Sequence, residues 1–467
     1  MSDIEQRFNT LKAATPRLRN STAAERAAKL KKLWESIVAH KEDLFAAGNE
    51  ERGCHEVDIA AELVMIKGEL DFIAKNLPKW VKPQKVKGSL ATMGKRCEIR
   101  YQSKGVVLNI AAYNAPTAEA FVPMIAAVAA GNAVAIKTSE YAPASAKIIE
   151  KITSDAFAED EAAVFHGAAD VAQELLALPF NHIYYTGGNA VGKIVMKAAA
   201  DHFASITLEM GGKSPVIIDQ TAQLDNAATK LAWGRVMNAG QVCIAPEYVI
   251  VHESQHDEFC SLIAEKINAL YNSDGNGLDK SAYVPRIINE RHHTRITGLI
   301  SDAIEKGAKV ICGGASNAAD RYIEPTVLTN VSEDMNVMQE EVFGPVMCVI
   351  PYKEREEVLD IISKRPDPLA SYIYSTDKEA IEYFLTNTSS GSAVVNNNCV
   401  QSGTNPNLPF GGVGASGMGR IGGFRGFQEM SNARSIVHQP LDKLRDMLIM
   451  LPPYSDRYKN LIMKGTK

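Results

Sequence analysis

The sequence predicts an α/β protein: two parallel-sheet units joined near residue 211, with a small strand arm outside both. Three observations carry this. From residue 106 onward, short β-rich apolar runs alternate with helical stretches, the pattern of a parallel sheet covered on both faces. The alternation starts again near Pro215, beyond the glycine pair Gly211-Gly212. Ahead of the first run, Glu98, Ile99, Arg100 and Tyr101 alternate as a strand whose edges need a cover, from another subunit or from the C-terminal region.

The elements follow in order. Thr22-Ala-Ala-Glu25 is a capping-box pattern ahead of Leu30, Leu33, Trp34, Ile37 and Val38, so the first 80 residues read as helices. Pro83 and the polar run 84–87 close that segment. Strands are expected at Val106–Ile110, 133–136, 163–165, 183–185 and 206–208, with Gly131 stopping the first helix between them. The second series is expected at 216–218, 248–251, 310–312, 346–350 and 372–374. There is no internal repeat or low-complexity tract.

Composition excludes several functions. With 467 residues the chain suits two or three domains, and 46% apolar with 22% charged residues is ordinary for a protein with a large core. A net charge of -5 offers no basic stripe for nucleic acid. No apolar run approaches the roughly 18 residues of a membrane span, and the charged N-terminus lacks a signal-peptide core. A cytoplasmic protein is expected. The seven scattered cysteines contain no CxxC pair, which argues against a disulfide framework or a metal site. His292-His293 is read as a solvated helix start rather than a ligand pair.

Two stretches match GxGxxG, at 412–417 and 417–422, but both follow a polar loop rather than a strand, with too little chain after them for a nucleotide-binding half. They read as a glycine-rich loop packing against a site. A better phosphate turn is Thr186-Gly187-Gly188-Asn189-Ala190-Val191-Gly192, after a strand and opening a helix with Val191, Ile194, Val195 and Ala198 on one face. Among the cysteines, Cys260, Cys312 and Cys348 stand in apolar elements and read as core. Cys243 instead ends the small polar turn Asn238-Ala-Gly-Gln-Val242, where a backbone can approach a substrate. On these residues alone a structural role for Cys243 stays open.

Six segments then occur in one order: Tyr113-Asn-Ala-Pro116, Lys137-Thr-Ser-Glu140, Leu208-Glu-Met-Gly-Gly-Lys213, Asn238–Pro246 (NAGQVCIAP), Glu340-Glu-Val-Phe-Gly-Pro345 and Pro409-Phe-Gly-Gly412. Together they resemble the aldehyde dehydrogenase superfamily over roughly residues 15 to 440. The resemblance is to its class 3-like branch, which includes fatty, benzyl and coniferyl aldehyde dehydrogenases. It implies two Rossmann-like parallel-sheet domains plus an oligomerisation arm: 1–94 and 106–210 for NAD(P), 95–105 and 430–440 for the arm, 211–429 for catalysis, and a tail at 441–467. It also implies a homodimer.

The residue roles come from the same resemblance. Cys243 matches the nucleophile that attacks the aldehyde carbon, and Asn114 with the Cys243 N–H matches the oxyanion hole. Glu209 matches the base that activates water to hydrolyse the thioester left after hydride transfer. For the cofactor, NAD or NADP, Lys137 and Glu140 match the adenine-ribose residues. Gly187, Gly188 and Gly192 match the pyrophosphate turn, Glu341 the nicotinamide-ribose ligand, and Phe343 its neighbour. No metal is implied. Two departures stand out: Tyr113 where Trp or Phe is usual, and Thr138 where proline usually follows the lysine. Acylating transfer to coenzyme A is the alternative reaction, opposed by Glu209, because activated water would compete with the thiol. A binding protein on a retired enzyme fold is the alternative class, opposed by the joint presence of Cys243, Glu209 and Asn114. The tail, with apolar clusters at 444–451 and 454–463 among basic residues, is expected to pack over a subunit surface rather than enter lipid.

Overall fold

The computed structural model describes residues 2–89, 92, 94–401, 405–441 and 452–466. Its N-terminal segment, to Trp80, is helical: Asp3–Arg19, Ala23–Ala39, Lys41–Arg52 and Glu56–Trp80. The capping box forms as expected. Thr22 Oγ1 accepts from the Glu25 N–H at 3.2 Å, and Glu25 Oε2 accepts from the Thr22 N–H at 2.6 Å. Leu30, Leu33 and Ile37 are fully buried, whereas Val38 is 45% exposed. One residue step turns a helix by about 100°, which carries Val38 off the face that Ile37 buries.

The first sheet has six strands, in the order Gly417–Met418, Ser205–Glu209, His182–Thr186, Val106–Ile110, Ala133–Lys137 and Ala162–Phe165. Every pair is parallel except the first. All five expected strands of the first series are present within one residue at each end. The helix Pro116–Ala129 ends ahead of Gly131, whose φ of 84° supplies the left-handed turn after it. The chain builds outward from Val106–Ile110 on one side, then returns to its other side at His182–Thr186. That reversal opens a crevice at the carboxyl ends of these strands, the usual ligand position in such sheets.

The second sheet has seven strands, in the order Lys309–Cys312, Thr326–Thr329, Val346–Tyr352, Tyr248–His252, Pro215–Ile218, Ala370–Tyr374 and Ser392–Val395. It is parallel apart from the antiparallel first pair. Thr326–Thr329 and Ser392–Val395 carry no expectation above: each mixes polar with apolar residues over only four positions and shows no clear apolar run. A third sheet joins Gln84–Val86, Arg96–Ser103 and Ser431–His438, all antiparallel. The arm therefore finds its cover in the C-terminal region of the same chain. The run 84–87, read as a polar close, contributes the outer strand. Its pairing partner is distant enough that propensity alone does not reveal it.

The histidine pair is a correction. The helix Glu290–Glu305 does start there, capped by Asn289, which accepts from the His292 N–H at 2.9 Å. His293 is buried rather than solvated, its Nε2 3.1 Å from the Tyr322 carbonyl oxygen. His292 is half-buried, and burial, with Arg295 and Arg291 nearby, pushes its pKa down to about 4. In the tail, the cluster at 444–451 lies outside the described residues. The helix Asp456–Gly465 buries no residue, leaving Leu461, Ile462 and Met463 exposed. No helix among the described residues is long and apolar enough to cross a membrane.

Candidate active site

The two larger sheets meet end to end. Asn114, Lys137, the turn at 186–188 and Glu209 leave the carboxyl ends of strands in the first sheet. Residues 211–213, Cys243 and Glu341 lead into the amino ends of three neighbouring strands in the second. Six segments far apart in sequence thereby converge at one seam.

Cys243 follows a turn that only a particular sequence allows. Asn238 and Ala239 have φ of 50° and 53°, and Gly240 follows at 70°. Left-handed non-glycine residues cost on the order of 1–3 kcal/mol each, so surrounding bonds must hold them. Asn238 Nδ2 donates to the Asn114 carbonyl at 2.8 Å and to the Gln241 carbonyl at 3.1 Å, while Cys54 Sγ donates to Asn238 Oδ1 at 3.4 Å. Gln241 is fully buried, donating to the Arg286 carbonyl at 3.0 Å and accepting from the Ile288 N–H at 2.9 Å. A Cβ on Gly240 would overlap the Gly344 carbonyl oxygen. The same bond to Asn114 fixes the oxyanion candidate against the cysteine turn. Its neighbour Tyr113 is held by Arg52 Nη1, which donates to the Tyr113 carbonyl at 2.8 Å.

The chemistry around the thiol is unusual for its acids. Burial, then the Glu209 and Glu119 carboxylates, hold the Cys243 thiol well above the ordinary thiol range. Burial also lifts Glu209, helped by Glu119 and opposed by the nearby Cys243 thiol. Glu209 is buried, and its Oε1 has no hydrogen-bond partner among the described residues. A buried acceptor without a partner is costly, and it marks where a substrate or water proton can be taken. Gly417 lies opposite Glu209 in the sheet, and a Cβ there would overlap the Leu208 carbonyl oxygen. The glycine-rich loop thus packs against the site, as its composition suggested.

The expected cofactor residues fall on both sides of the seam. Lys137, buried at its strand end, has Nζ 3.1 Å from Glu140 Oε2. The helix Asn189–Asp201 opens at Gly188 with no side-chain cap, leaving its first N–H groups free of any side-chain acceptor. A Cβ on Gly187 would overlap the Tyr185 hydroxyl, and one on Gly192 the Met210 sulfur. Val195 is buried on this helix and Ala198 partly so, but Val191 and Ile194 are about half exposed. Those two do not join the core face expected of them; they form an apolar strip beside the turn. The Glu341 carboxylate lies over Gly211, where any Cβ would overlap it. Burial and Glu247 raise its pKa. Phe343, with φ of 47°, sets its ring 6.0 Å from that of Tyr113.

Several residues of this site escape the motifs. Lys213 Nζ lies 3.4 Å from Glu247 Oε1, which in turn accepts from the Val342 N–H, tying two motifs together beneath Glu341. Glu119 is the sole charged residue in the helix Pro116–Ala129, a signal the sequence did offer. Its Oε2 accepts from Thr186 Oγ1 at 2.8 Å.

The sequence pattern of the Aldehyde dehydrogenase family matches residues 1–436. The 4,4'-diaponeurosporen-aldehyde dehydrogenase of Staphylococcus aureus is 35% identical over 460 residues, covering 98% of each chain. Aldehyde dehydrogenase family 3 member A2 of Macaca fascicularis is 40% identical over 427 residues, 91% of this chain and 86% of that one. The solved substrate-bound Staphylococcus aureus AldH superposes with a TM-score of 0.94 at 35% identity, covering 100% of both chains. Other solved members hold NAD+ or NADP. With its seam of cysteine, glutamate and asparagine, and with these relatives over nearly its whole length, this chain belongs to the aldehyde dehydrogenase family as an NAD(P)-dependent enzyme of the class 3-like branch.

Proposed function

We propose that the enzyme oxidises an aromatic or medium- to long-chain aliphatic aldehyde to its acid, with Cys243 as nucleophile and Glu209 as the base for hydrolysis. The observation that carries this reading is the buried Glu209 carboxylate, whose Oε1 has no hydrogen-bond partner among the described residues and stands at the seam that also receives Cys243. The Cys243 thiol loses its proton to solvent, to be regained when the acid leaves, as its sulfur bonds to the aldehyde carbon, and the resulting oxyanion is met by the Asn114 amide and the Cys243 N–H. Bound NAD(P)+ supplies the two-electron acceptor for the carbon-bound hydride. Glu209 then takes a proton from water, whose oxygen attacks the thioester and releases the acid and the free thiol.

The residues present fit the cofactor. The uncapped N-terminus at Gly188, with Gly187 and Gly192 clearing the approach, suits a pyrophosphate, and Lys137 with Glu140 suits the adenine ribose. Glu341 suits the nicotinamide ribose, with Phe343 packed beside it. A relative named for a long polyene aldehyde supports a long, apolar substrate. The domain division follows the same reading: 1–94 and 106–210 for the cofactor, 95–105 and 430–440 as the arm, 211–429 for catalysis, and 441–467 as the tail. Among the described residues, the outer edges of Ser431–His438 and of Ser392–Val395 carry no neighbouring strand, supporting a homodimer that covers them. A cytoplasmic location fits the lack of a spanning helix among the described residues.

The test is absorbance of the reduced cofactor with benzaldehyde and with a medium-chain aldehyde, each with and without coenzyme A. The reading expects turnover that coenzyme A does not accelerate. Turnover that requires coenzyme A overturns it in favour of acylating chemistry.

A further inference from the structure

Beside the proposed base stands a second, half-buried acid that the reaction as described leaves without a task. Thr186 and Glu209 are in-register neighbours on adjacent parallel strands. Such neighbours point their side chains to the same face, about 5 Å apart. Thr186 Oγ1 donates to Glu119 Oε2 at 2.8 Å, so the hydroxyl bonded to the Glu119 carboxylate shares a sheet face with the side chain of Glu209. The remaining groups around Glu119 come from three elements. Glu62, on the helix Glu56–Trp80, accepts from the Ala118 N–H at 3.2 Å and lies 3.7 Å from Arg52 Nη2. Tyr184, two residues before Thr186 on the same strand face, is buried, and Cys243 closes the far side. Glu119 itself is half-buried, so the row runs from a sealed site toward solvent.

We propose that Glu119 and Thr186 form a proton relay that discharges Glu209 after each hydrolysis. This inference rests on Glu209 being the hydrolytic base. In the step, one O–H bond of water breaks while its oxygen bonds to the thioester carbon, and the proton goes to the Glu209 carboxylate. Glu209 passes that proton to Thr186 Oγ1 as the threonine's own proton moves to Glu119 Oε2. Glu119 then loses it to solvent, and the threonine hydroxyl rotates back. No oxidant or further reactant is needed.

The geometry favours a relay over a purely structural acid. An acid kept at such a site only for structure is expected to pair with a cation, yet the half-buried Glu119 has a neutral hydroxyl as partner and another acid, Glu62, nearby. The raised proton affinities of Glu119 and Glu209, due first to burial, bring the two acids into a common range, which proton sharing requires.

Glu119→Gln tests the relay, because the amide oxygen can still accept from Thr186 while the proton acceptor is lost. With benzaldehyde and saturating NAD+, the variant is expected to keep the wild-type burst of reduced cofactor, because acylation precedes hydrolysis. Its steady-state kcat is expected to fall about tenfold, with a solvent deuterium isotope effect larger than the wild type's. Thr186→Val is expected to repeat this pattern, and the double variant to be no slower than either single one. Glu119→Asp is expected to recover part of the rate. A kcat within twofold of wild type and an unchanged isotope effect overturns the relay. So does a change confined to the aldehyde KM, which would make Glu119 a wall of the substrate passage. Glu209→Gln in the same assay separates the two ideas: if it turns over normally the base reading falls, whatever Glu119 does.

Discussion

Glu209 decides more of this site's behaviour than its size suggests. Its carboxyl is raised to about 8, first by burial and then by Glu119. As a base it must be unprotonated, so hydrolysis-limited turnover is expected to rise with pH up to about 8 and level off above, measured as kcat against pH. The same shift has a stability consequence of known sign. A carboxyl raised in the folded state binds its proton more tightly folded than unfolded. Stability therefore falls as pH climbs from the ordinary glutamate value of 4.5 toward about 8. Glu209→Gln removes that buried charge, so its Tm should exceed the wild type's near pH 9 and approach it near pH 5. A Tm gap that does not change with pH would mean the charge carries no such cost. In the same variant a burst of reduced cofactor should precede slow turnover, since acylation needs the thiol and deacylation the activated water. Loss of the burst would place Glu209 earlier, at the thiol.

At the scale of elements, the cysteine turn is the part most sensitive to small changes. Gly240→Ala forces a Cβ into the Gly344 carbonyl oxygen at a φ of 70°. The expected result is a loss of about 1–3 kcal/mol in denaturant unfolding together with most of the activity, because the turn presents Cys243. Wild-type stability in that variant would show that the turn relaxes freely. The strands of the first sheet were legible because buried parallel strands are uniformly apolar: Val106–Ile110 and its four companions have little polar interruption. Asn114, Glu209 and Cys243 were named only through the family motifs, because the residues around Cys243 alone left a structural role open. What stayed hidden depends on distant pairing. The strand Gln84–Val86 exists because Arg96–Ser103 lies beside it. His293 is buried because Tyr322 meets it, and Glu119 matters because Thr186 folds back onto it. No local pattern encodes those meetings. Val191 and Ile194 show the reverse case, an apolar helical face that the fold leaves open.

For the whole molecule, assembly and the tail remain the decisive questions. The open outer edges of the arm and of the second sheet are expected to be covered by a second copy, giving a dimer in sedimentation equilibrium; a monomer at micromolar concentration would contradict that. The helix Asp456–Gly465 exposes Leu461, Ile462 and Met463 beside Arg457, Lys459 and Lys464. If it packs on the partner, deleting residues 441–467 should lower the Tm or change the KM for bulky aldehydes. Co-sedimentation of the full chain with anionic liposomes, absent in the truncated one, would instead assign the tail to a membrane surface.

The central claim is that the acyl group is carried by Cys243 until Glu209 lets water remove it. It is tested most directly by mixing the Glu209→Gln variant with benzaldehyde and NAD+, quenching in acid after one turnover, and mapping the added mass by peptide mass spectrometry. The account predicts one benzoyl group per active chain, on the peptide containing Cys243, and none in a Cys243→Ala control. An acyl group on another residue, or reduced cofactor formed at the wild-type rate by the Cys243→Ala protein, would contradict it.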